Sequence, residues 1–351
     1  MTKVVAGLRL GVPALVAALA LLATAAAGTA APASKRTAGD AGAITLGLPG
    51  IPPVFLGVRP YVASQKGLYS KYGVNVTLKS FTTGTDAMRA VINGQVDAAW
   101  APTPTVLAAI AGGSPLVGVE GMDVVDWEIG SIDPAVKTCT DLKGQTIGVD
   151  TVGGARYNAL IAMLSKCKLG INDVKTVNFP GAAGMNAQIA GQLKVNVDHV
   201  DEVSQIESSG KQVTLVAKLQ DVDPYQHYDM LVTTKANVKA HYFDFVHLIQ
   251  GDIAATKWML GNPGQAAQIA TVTGDSVDVS KSALQHYLSI NWWPYKTSGL
   301  TVQRLTRTIG LNVKLGVIPA GANLTWKDVV DTRMWKQANA SLNHTAKKKQ
   351  T

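Results

Sequence analysis

The segment DLKGQTIGV, residues 141–149, points most directly to the fold of this chain. Its last four residues are β-branched or small, as in a short buried strand. The loop DTVGGARY follows at 150–157, and a helical pattern of small residues covers 155–168. A strand that leads through a loop into a helix is the repeating unit of α/β proteins. The segment therefore predicts an α/β fold.

The alternation of strands and helices extends on both sides of this segment. Before it, β-branched runs predict strands at 44–48, 75–80, 96–100 and 116–119. After it, strands are predicted at 174–178, 195–200, 213–217 and 228–233, and the rest is helical to about residue 339. Residues 87–96 also align without a gap on 184–193. Two related lobes are predicted; chance likeness of two Ala-rich helices that each end in Gly is the alternative.

Composition excludes several classes of protein. The 351 residues are 47% hydrophobic and 16% charged, which is unlike a disordered chain or a coiled coil. The net charge is +8, but seven basic residues lie in the two ends and leave +1 for residues 37–346. These seven are Lys3, Arg9, Lys35, Arg36, Lys347, Lys348 and Lys349. A nearly neutral body predicts no nucleic-acid partner.

The N-terminus has the pattern of an export signal. Lys3 and Arg9 precede an uncharged apolar run at 11–27, and small residues follow it. We predict a signal peptide at 1–30, a linker at 31–42 and a protein that is soluble in the periplasm or secreted after cleavage. A retained membrane anchor is the alternative, although the run is shorter than a typical membrane span. At the other end, residues 341–351 are predicted to be disordered.

Several motifs together resemble one known family. They are GLY at 67–69, YGV at 72–74, NGQVD at 93–97, the 141–149 segment and GGA at 153–155. The set resembles the substrate-binding proteins of bacterial ABC importers, in the nitrate, sulfonate and taurine branch that is also called NMT1/THI5-like. The resemblance implies a two-lobed periplasmic-binding-protein fold of type 2 with two crossing strands. Lobe 1 would comprise 43–125 and 230–340, and lobe 2 would comprise 137–222.

The fold that the resemblance implies places a ligand between the lobes, beyond the carboxyl ends of the strands. In lobe 1 this position is held by Pro52 in the PGIPP turn and by Trp100, Pro102 and Thr103 after the third strand. Trp100 is compatible with stacking on the ligand or with a place in the core. Thr103 is compatible with ligand binding or with capping of the next helix.

In lobe 2 the loop at 150–157 supplies flexible glycines, a hydroxyl and a guanidinium, which suit an anionic head group. The candidate ligands are Thr151, Gly153, Gly154, Ala155 and Arg156; glycines that serve only the turn and a surface arginine are the alternative. Glu202 is predicted to hold an amine, or else to stabilise a helix N-terminus. Trp127 and Tyr228 are predicted at the hinge, where a packing role for Trp127 is also open.

Catalysis finds little support in the sequence. The six histidines lack metal-ligand spacing, and no nucleophile-elbow or zinc-protease motif is present. We predict no enzyme activity, no metal and no cofactor. Cys139 precedes the strand at 146–149 and Cys167 ends the helix that packs back along it, so a disulfide is predicted.

The predicted function is an extracytoplasmic solute-binding protein of an ABC importer. It would act as a monomer that captures a small organic solute, sulfonate-like or taurine-like, by hinge closure and delivers it to a membrane permease. Three alternatives remain. One is an enzyme of the same fold that acts on a small aromatic or carboxylic compound. The others are a receptor for an aminopyrimidine-like ligand and a sensory partner of a membrane receptor.

Overall fold

Two five-stranded sheets organise the part of the chain that the computed structural model describes, residues 41–222 and 224–348. The predicted signal peptide and the predicted linker as far as residue 40 lie outside the described residues. The expected α/β class is confirmed, because helices follow nearly every strand. Within the described ranges, no helix combines the length and the apolar character that crossing a membrane requires.

Lobe 1 is built on the sheet with strand order β2-β1-β3-β10-β4. Its strands are β1 (Gly42–Pro49), β2 (Val74–Phe81), β3 (Ala98–Pro102), β4 (Leu116–Gly121) and β10 (Asp229–Thr234). β1 is parallel to β2 and β3, whereas β10 runs antiparallel between β3 and β4. β3 is buried at every position, as expected for a strand covered on both faces.

Lobe 2 repeats this arrangement with strand order β7-β6-β8-β5-β9. Its strands are β5 (Glu128–Ser131), β6 (Thr146–Val149), β7 (Lys175–Asn178), β8 (Val195–Asp198) and β9 (Thr214–Lys218). β5 runs antiparallel between β8 and β9, as β10 does in lobe 1. The sequence did not predict β5. It lies before residue 137, so the lobe 2 sheet begins earlier in the chain than the predicted boundary.

The chain crosses between the two sheets twice. The first crossing is residues 122–127, between β4 and β5, and the second is residues 219–228, between β9 and β10. The two crossings are hydrogen-bonded to each other, because the Tyr228 N–H donates to the Met122 carbonyl at 3.0 Å. Trp127 and Tyr228, the two residues predicted at the hinge, are the last residues of the first and second crossing.

The helices that cover the sheets belong to two groups, one for each lobe. Lobe 1 has α1 (Val58–Gln65), α2 (Leu68–Lys71), α3 (Gly84–Ile92) and α4 (Thr103–Ala111). Lobe 2 has α5 (Ala155–Lys166), α6 (Ala183–Ile189), α7 (Val200–Ser208) and α8 (Leu219–Val222). After β10 the chain returns to lobe 1 as α9 (Lys235–Ala240), α10 (Tyr242–Gly261), α11 (Pro263–Ala270), α12 (Val277–Ser289), α13 (Val302–Lys314), α14 (Trp326–Val329) and α15 (Arg333–Lys348).

The last helix differs from the sequence prediction. Residues 341–348, the first part of the predicted disordered tail, belong to α15. Met334, Trp335 and Ala338 recur at helical spacing and are buried. α15 packs against α10. Burial of one apolar face accounts for the helix in this polar, lysine-rich segment.

The disulfide lies in lobe 2. Cys139, in a short 3-10 helix before β6, is bonded to Cys167 at the end of α5, with their Cα atoms 5.3 Å apart. α5 leads the chain back to the start of β6, so the predicted pairing is confirmed.

Candidate functional site

A cavity lies between the lobes at the carboxyl ends of their parallel strands. It contains about 410 Å³ of empty space, part of it open to solvent. Lobe 1 contributes Pro49, Gly50, Val54, Thr82, Thr83, Gly84, Pro102 and Asp229. Lobe 2 contributes Asp150, Ala155, Arg156, Gly181 and His199, and the crossings contribute Trp127 and Tyr228. A small molecule in this cavity would contact both lobes and both crossings.

The lobes touch each other around this cavity. The Thr105 hydroxyl in α4 donates to the Gly153 carbonyl in the lobe 2 loop at 3.5 Å. A Cβ atom built on Gly181 would lie 3.6 Å from the Thr82 carbonyl oxygen, so the two loops are in contact. The arrangement is that of a closed cleft.

Trp127 and Tyr228 form an aromatic wall where the crossings pass the cavity. Their ring centroids are 6.0 Å apart, and the His199 imidazole lies 3.7 Å from the Trp127 ring. The Arg156 guanidinium covers the same indole at 5.1 Å. Both residues, which were predicted at the hinge, therefore lie in the crossings and line the cavity.

Trp100 does not line the cavity. Its side chain is fully buried in lobe 1, with the Arg59 guanidinium 5.0 Å from its ring. Trp100 lies on the same face of β3 as Ala98, and both belong to the core of lobe 1. The possibility of stacking on a ligand is therefore corrected to a place in the core. Pro102, two residues later at the strand end, does line the cavity.

Thr103 is also turned away from the cavity. Its side chain is fully buried, and its hydroxyl lies 2.7 Å from Nδ1 of His227. Nε2 of His227 lies 2.7 Å from the Gly299 carbonyl oxygen, which can only accept. Nε2 therefore carries the ring proton and Nδ1 accepts from Thr103. Burial lowers the pKa of His227 to about 3, which keeps this ring neutral. Ligand binding by Thr103 is corrected to a structural contact.

The loop of lobe 2 is occupied by its own aspartate. The Asp150 carboxylate accepts from the Thr151 N–H and the Ala155 N–H, each at 2.8 Å, and the Gly154 N–H donates to the Thr151 carbonyl at 2.9 Å. The N–H groups of Gly154 and Ala155, two residues predicted to bind an anionic head group, are therefore already used within the loop. A Cβ on Gly154 would approach Asp150 to 2.5 Å, so this glycine makes room for the carboxylate.

The remaining members of that loop have limited access to the cavity. The Thr151 hydroxyl donates to the Val152 carbonyl at 3.5 Å, and Thr151 does not line the cavity. Gly153 has a φ of 77°, the left-handed region that favours glycine, and its carbonyl accepts from Thr105. Ligand binding by Thr151 and Gly153 is corrected to loop geometry and contact with lobe 1.

Arg156 and Glu202 pair with each other. Their side chains form a bidentate ion pair with N–O distances of 2.7 and 2.6 Å, and both are buried. Arg156 also donates to the Gly181 and Val197 carbonyls. Burial has the largest single effect and raises the pKa of Glu202, but the charge and hydrogen bonds of Arg156, together with His199, outweigh it and lower the pKa. The predicted separate roles, an anion for Arg156 and an amine for Glu202, are therefore corrected to mutual neutralisation.

Pro52 lies outside this cavity. It is exposed and lines a second space between the lobes, which is also lined by Pro53, Asp201, Glu202, Gln205 and Thr273. The turn at 49–53 still contributes Pro49 and Gly50 to the main cavity. The rigid turn was placed correctly, but the contact residue within it was not.

The carboxyl groups around the cavity were largely missed by sequence reasoning. Burial raises the pKa of Asp229 to about 8 and also raises the pKa of Asp150. Asp229 starts β10, and no hydrogen bond is formed by its side chain within the described residues. An aspartate at the start of an apolar strand carries no local signal of this position, because the cleft forms only when the chain returns to lobe 1.

His199 belongs to a buried cluster beside the cavity. Its Nδ1 lies 2.9 Å from Asp126, whose carboxylate also accepts from the Tyr287 hydroxyl at 2.7 Å. Burial has the largest single effect and lowers the pKa of His199, but the charge and hydrogen bond of Asp126, together with the Glu202 charge, outweigh it and raise the pKa to about 9. Asp126, His199 and Asp201 approach one another within 4.8 Å, yet the Tyr287 hydroxyl lies between the two carboxyls. Hydrogen bonds therefore account for this cluster, and the absence of a metal stays a prediction.

The N-terminus of α3 offers hydrogen-bond donors. Thr83 caps this helix by accepting from the Asp86 N–H at 3.1 Å. The N–H groups of Gly84 and Thr85 form no hydrogen bond within the described residues, and Gly84 lines the cavity. Free N–H groups at a helix start favour a negatively charged or polar ligand atom.

Comparisons with known proteins agree with this geometry. The chain is 18% identical to the alkanesulfonate-binding protein SsuA from Xanthomonas axonopodis pv. citri bound to MOPS, with a TM-score of 0.70 over 84% of this chain and all of that one. The chain is 14% identical to the periplasmic nitrate-binding protein NrtA from Synechocystis PCC 6803, with a TM-score of 0.71 over 86% of this chain and 89% of that one. A Candida albicans protein with the generic periplasmic binding protein fold has a TM-score of 0.61 at 13% identity, over 83% of this chain and 96% of that one. The predicted fold is confirmed.

Sequence relatives give the family. A protein of Brucella abortus, provisionally named a binding protein, is 25% identical over 133 residues, which are 38% of this chain and 40% of that protein. This alignment spans less than half of the relative. The profile described as NMT1/THI5-like matches residues 55–266, more than half of the chain. The chain therefore belongs to the NMT1/THI5-like family, which its sequence motifs resemble.

Proposed function

We propose that this protein is the extracytoplasmic solute-binding component of an ABC importer. It captures a small organic solute between its lobes by hinge closure and delivers it to a membrane permease. The observation that carries this proposal is the cavity lined by both lobes and both crossings, since a ligand there stabilises the closed arrangement. Sulfonate-binding and nitrate-binding proteins among its structural neighbours support the same role.

The charges around the cavity favour a solute that carries an amine. Arg156 is neutralised by Glu202, whereas Asp229 forms no ion pair within the described residues, is influenced by a single cation, the more distant His199, and faces the cavity. An ammonium group beside Asp229 would favour the charged carboxylate and gain a buried ion pair. An acidic group would lie at the N–H groups of Gly84 and Thr85. These features together suit a zwitterion of the taurine type better than a plain anion such as nitrate.

A second candidate is an aminopyrimidine-like ligand. The rings of Trp127, Tyr228 and His199 form an aromatic wall on one side of the cavity, and stacking suits a flat heterocycle. Its exocyclic amine would contact the Asp229 carboxyl, as proposed for the amine of a zwitterion. The wall is what favours this candidate over other amines.

We infer a binding role without catalysis. Two pairs of potential acid and base groups beside the cavity are engaged with each other, Arg156 with Glu202 and His199 with Asp126. Cys139 and Cys167 are bonded to each other, so neither offers a thiolate. An enzyme of the same fold is still the alternative to test, because one structural neighbour is a DSZB mutant that was solved with biphenyl-2-sulfinic acid. We further propose that the protein acts as a monomer in the periplasm or outside the cell.

The test compares solutes that differ in one group. Taurine and ethanesulfonate share the sulfonate and differ in the amine, while nitrate is a plain anion and 4-aminopyrimidine a flat amine. Each is titrated into the purified protein by calorimetry after a thermal-shift screen. We expect taurine or the aminopyrimidine to bind at least tenfold more tightly than ethanesulfonate and nitrate, which corresponds to about 1.4 kcal/mol.

The variant Asp229→Asn tests the proposed amine contact. It is expected to weaken the amine-bearing solute about tenfold and to leave ethanesulfonate nearly unchanged. Glu207→Gln, an exposed carboxyl on α7, is the matched control and is expected to change neither. Tighter binding of nitrate or ethanesulfonate than of any amine would contradict the proposed solute class, and turnover of a bound compound would contradict the binding role.

A further inference from the structure

Tyr287 connects lobe 1 to lobe 2 through its hydroxyl group. It lies in α12, where its ring stacks on Trp292 at 3.9 Å and contacts Phe55 at 5.0 Å, so its body is part of the lobe 1 core. Its oxygen lies 2.7 Å from Oδ2 of Asp126 in the first crossing and 2.8 Å from Oδ1 of Asp201 in α7 of lobe 2. The hydroxyl therefore joins lobe 1, a crossing and lobe 2 in the closed arrangement.

Asp201, Tyr287 and Asp126 form a series of three linked side chains, and the number of protons they carry determines which hydrogen bonds can form. A tyrosine hydroxyl has one proton, so it donates to one carboxylate at a time. The second oxygen–oxygen contact is a hydrogen bond only if the other carboxyl carries a proton and donates to the tyrosine oxygen. Two ionised carboxylates on either side of one hydroxyl would leave that contact repulsive. Two ionised carboxylates and a neutral tyrosine together carry one proton. The closed geometry has two such oxygen–oxygen contacts and therefore needs a second proton.

The surroundings identify Asp201 as the carboxyl that takes this proton. Asp126 accepts from His199 at 2.9 Å as well as from Tyr287, so this carboxylate already has two hydrogen-bond donors. No cation contacts Asp201 within the described residues. The charged groups around it are His199, Glu202, Asp275 and Asp126, and Glu202 is neutralised by its pair with Arg156. Burial and the neighbouring carboxylates raise the pKa of Asp201 to about 7.

We propose that closure of the two lobes binds one proton on the chain Asp201–Tyr287–Asp126, which makes this chain a pH-sensitive latch of the closed state. In the closed state the Asp201 carboxyl donates to Tyr287 and the Tyr287 hydroxyl donates to Asp126. When the lobes open, Asp201 separates from Tyr287, enters water and releases the proton. The inference rests on the hinge closure of the proposed function but not on the identity of the solute.

The direction of the pH effect follows from linkage. Asp201 binds the proton more tightly when the lobes are closed, so closure is favoured at low pH. The advantage declines as the pH rises from the ordinary aspartate range toward about 7, the pKa of Asp201 in the closed state. Above this range the closed state loses the latch. A solute would then bind more weakly at alkaline pH.

The test uses the protein without solute, so failure of the latch is separate from failure of the proposed function. The Asp carboxyl carbons are labelled and followed by NMR through a pH titration, while small-angle scattering reports the radius of gyration. We expect a carboxyl that titrates near pH 7 to be absent from Asp201→Asn, whereas the Asp229 carboxyl, with a pKa of about 8, is present in both proteins. We also expect the wild-type radius of gyration to increase between about pH 5.5 and pH 8.5.

Two variants separate the latch from general effects of charge. Asp201→Asn supplies a permanently neutral donor to Tyr287, so it should stay compact at both pH values. Tyr287→Phe removes the shared oxygen, so it should be expanded at both. Asp278→Asn, an exposed carboxyl on α12, is the control and should behave as wild type. An unchanged wild-type radius, or a pH response in Asp201→Asn equal to that of wild type, would overturn the proposal.

Discussion

Arg156 and Glu202 form a buried bidentate ion pair across 46 residues of lobe 2, with N–O distances of 2.7 and 2.6 Å. Glu202 also accepts from the His199 N–H at 2.9 Å, so the same carboxylate caps α7. The pair therefore fixes the start of α5 against the start of α7, beside the cavity. Its main contribution is to the structure of lobe 2 rather than to the charge that a solute meets.

The first prediction concerns this pair. Glu202→Gln leaves the buried Arg156 guanidinium without its paired carboxylate, which typically costs about 3 kcal/mol of the free energy of unfolding. Urea unfolding measures this loss. The control is Lys218→Gln, since the Lys218–Glu128 pair is partly exposed and should contribute less than about 1 kcal/mol. Equal stability of Glu202→Gln and the Lys218 variant would contradict the assignment.

The second prediction separates the two tryptophans near the cleft. Trp100→Ala removes a fully buried indole from the lobe 1 core and should lower the free energy of unfolding by about 3 to 5 kcal/mol. The folded fraction should still bind the solute, because Trp100 does not line the cavity. Trp127→Ala is the comparison, and it should weaken solute binding in calorimetry. Loss of affinity in Trp100→Leu, with a stable fold, would show that Trp100 reaches the ligand after all.

Most of the fold could be predicted because its signals are local. β-branched runs such as residues 146–149 and small-residue helices record the strand and helix order directly in the chain. β5 was missed because residues 128–131 contain a glutamate and a glycine, a weak strand pattern. Its place in the sheet is fixed by β8 and β9, which come much later in the chain.

The candidate site was predicted less well because its partners are distant in sequence. The loop containing Thr151 and Gly154 was recognised as a candidate anion site. Its sequence does not reveal that the Asp150 carboxylate folds back and accepts hydrogen bonds from the N–H groups of the loop. Likewise, a lone Arg156 and a lone Glu202 each suggested a ligand contact. Only the fold, which brings the first turns of α5 and α7 together, reveals that they neutralise each other.

The third prediction concerns the disulfide. Its sequence separation is 28, for which loop-closure entropy gives a stabilisation of about 3 to 4 kcal/mol. Cys139→Ser combined with Cys167→Ser should lower the free energy of unfolding by this amount, and reduction of the wild type should have the same effect. Thiol titration of unreduced, denatured protein should detect no free thiol. Two titratable thiols in that sample would disprove the bond in solution.

The fourth prediction concerns the charge of His199. Asp126 holds the pKa of this imidazole at about 9, above the usual 6.5, although burial alone would lower it. A raised histidine pKa stabilises the folded protein fully below pH 6.5, and this contribution is lost as the pH rises through 9. At about 1.36 kcal/mol per pH unit, the loss amounts to at most about 3 kcal/mol.

Urea unfolding at pH 7 and pH 9.5 measures this loss. Wild type should become less stable at the higher pH, and His199→Asn should lose less over the same interval, because the charged imidazole is already absent. Asp229 also destabilises the fold as the pH rises toward 8, and the His199 charge lowers its pKa, so both proteins carry Asp229→Asn in this comparison. His227→Asn is the control: the pKa of His227 is lowered to about 3, so its ring is neutral at both pH values. Its variant should be destabilised equally at pH 7 and pH 9.5. If His199→Asn instead keeps the full pH dependence of wild type, the imidazole is not charged at neutral pH and the ion pair with Asp126 does not stabilise the cleft.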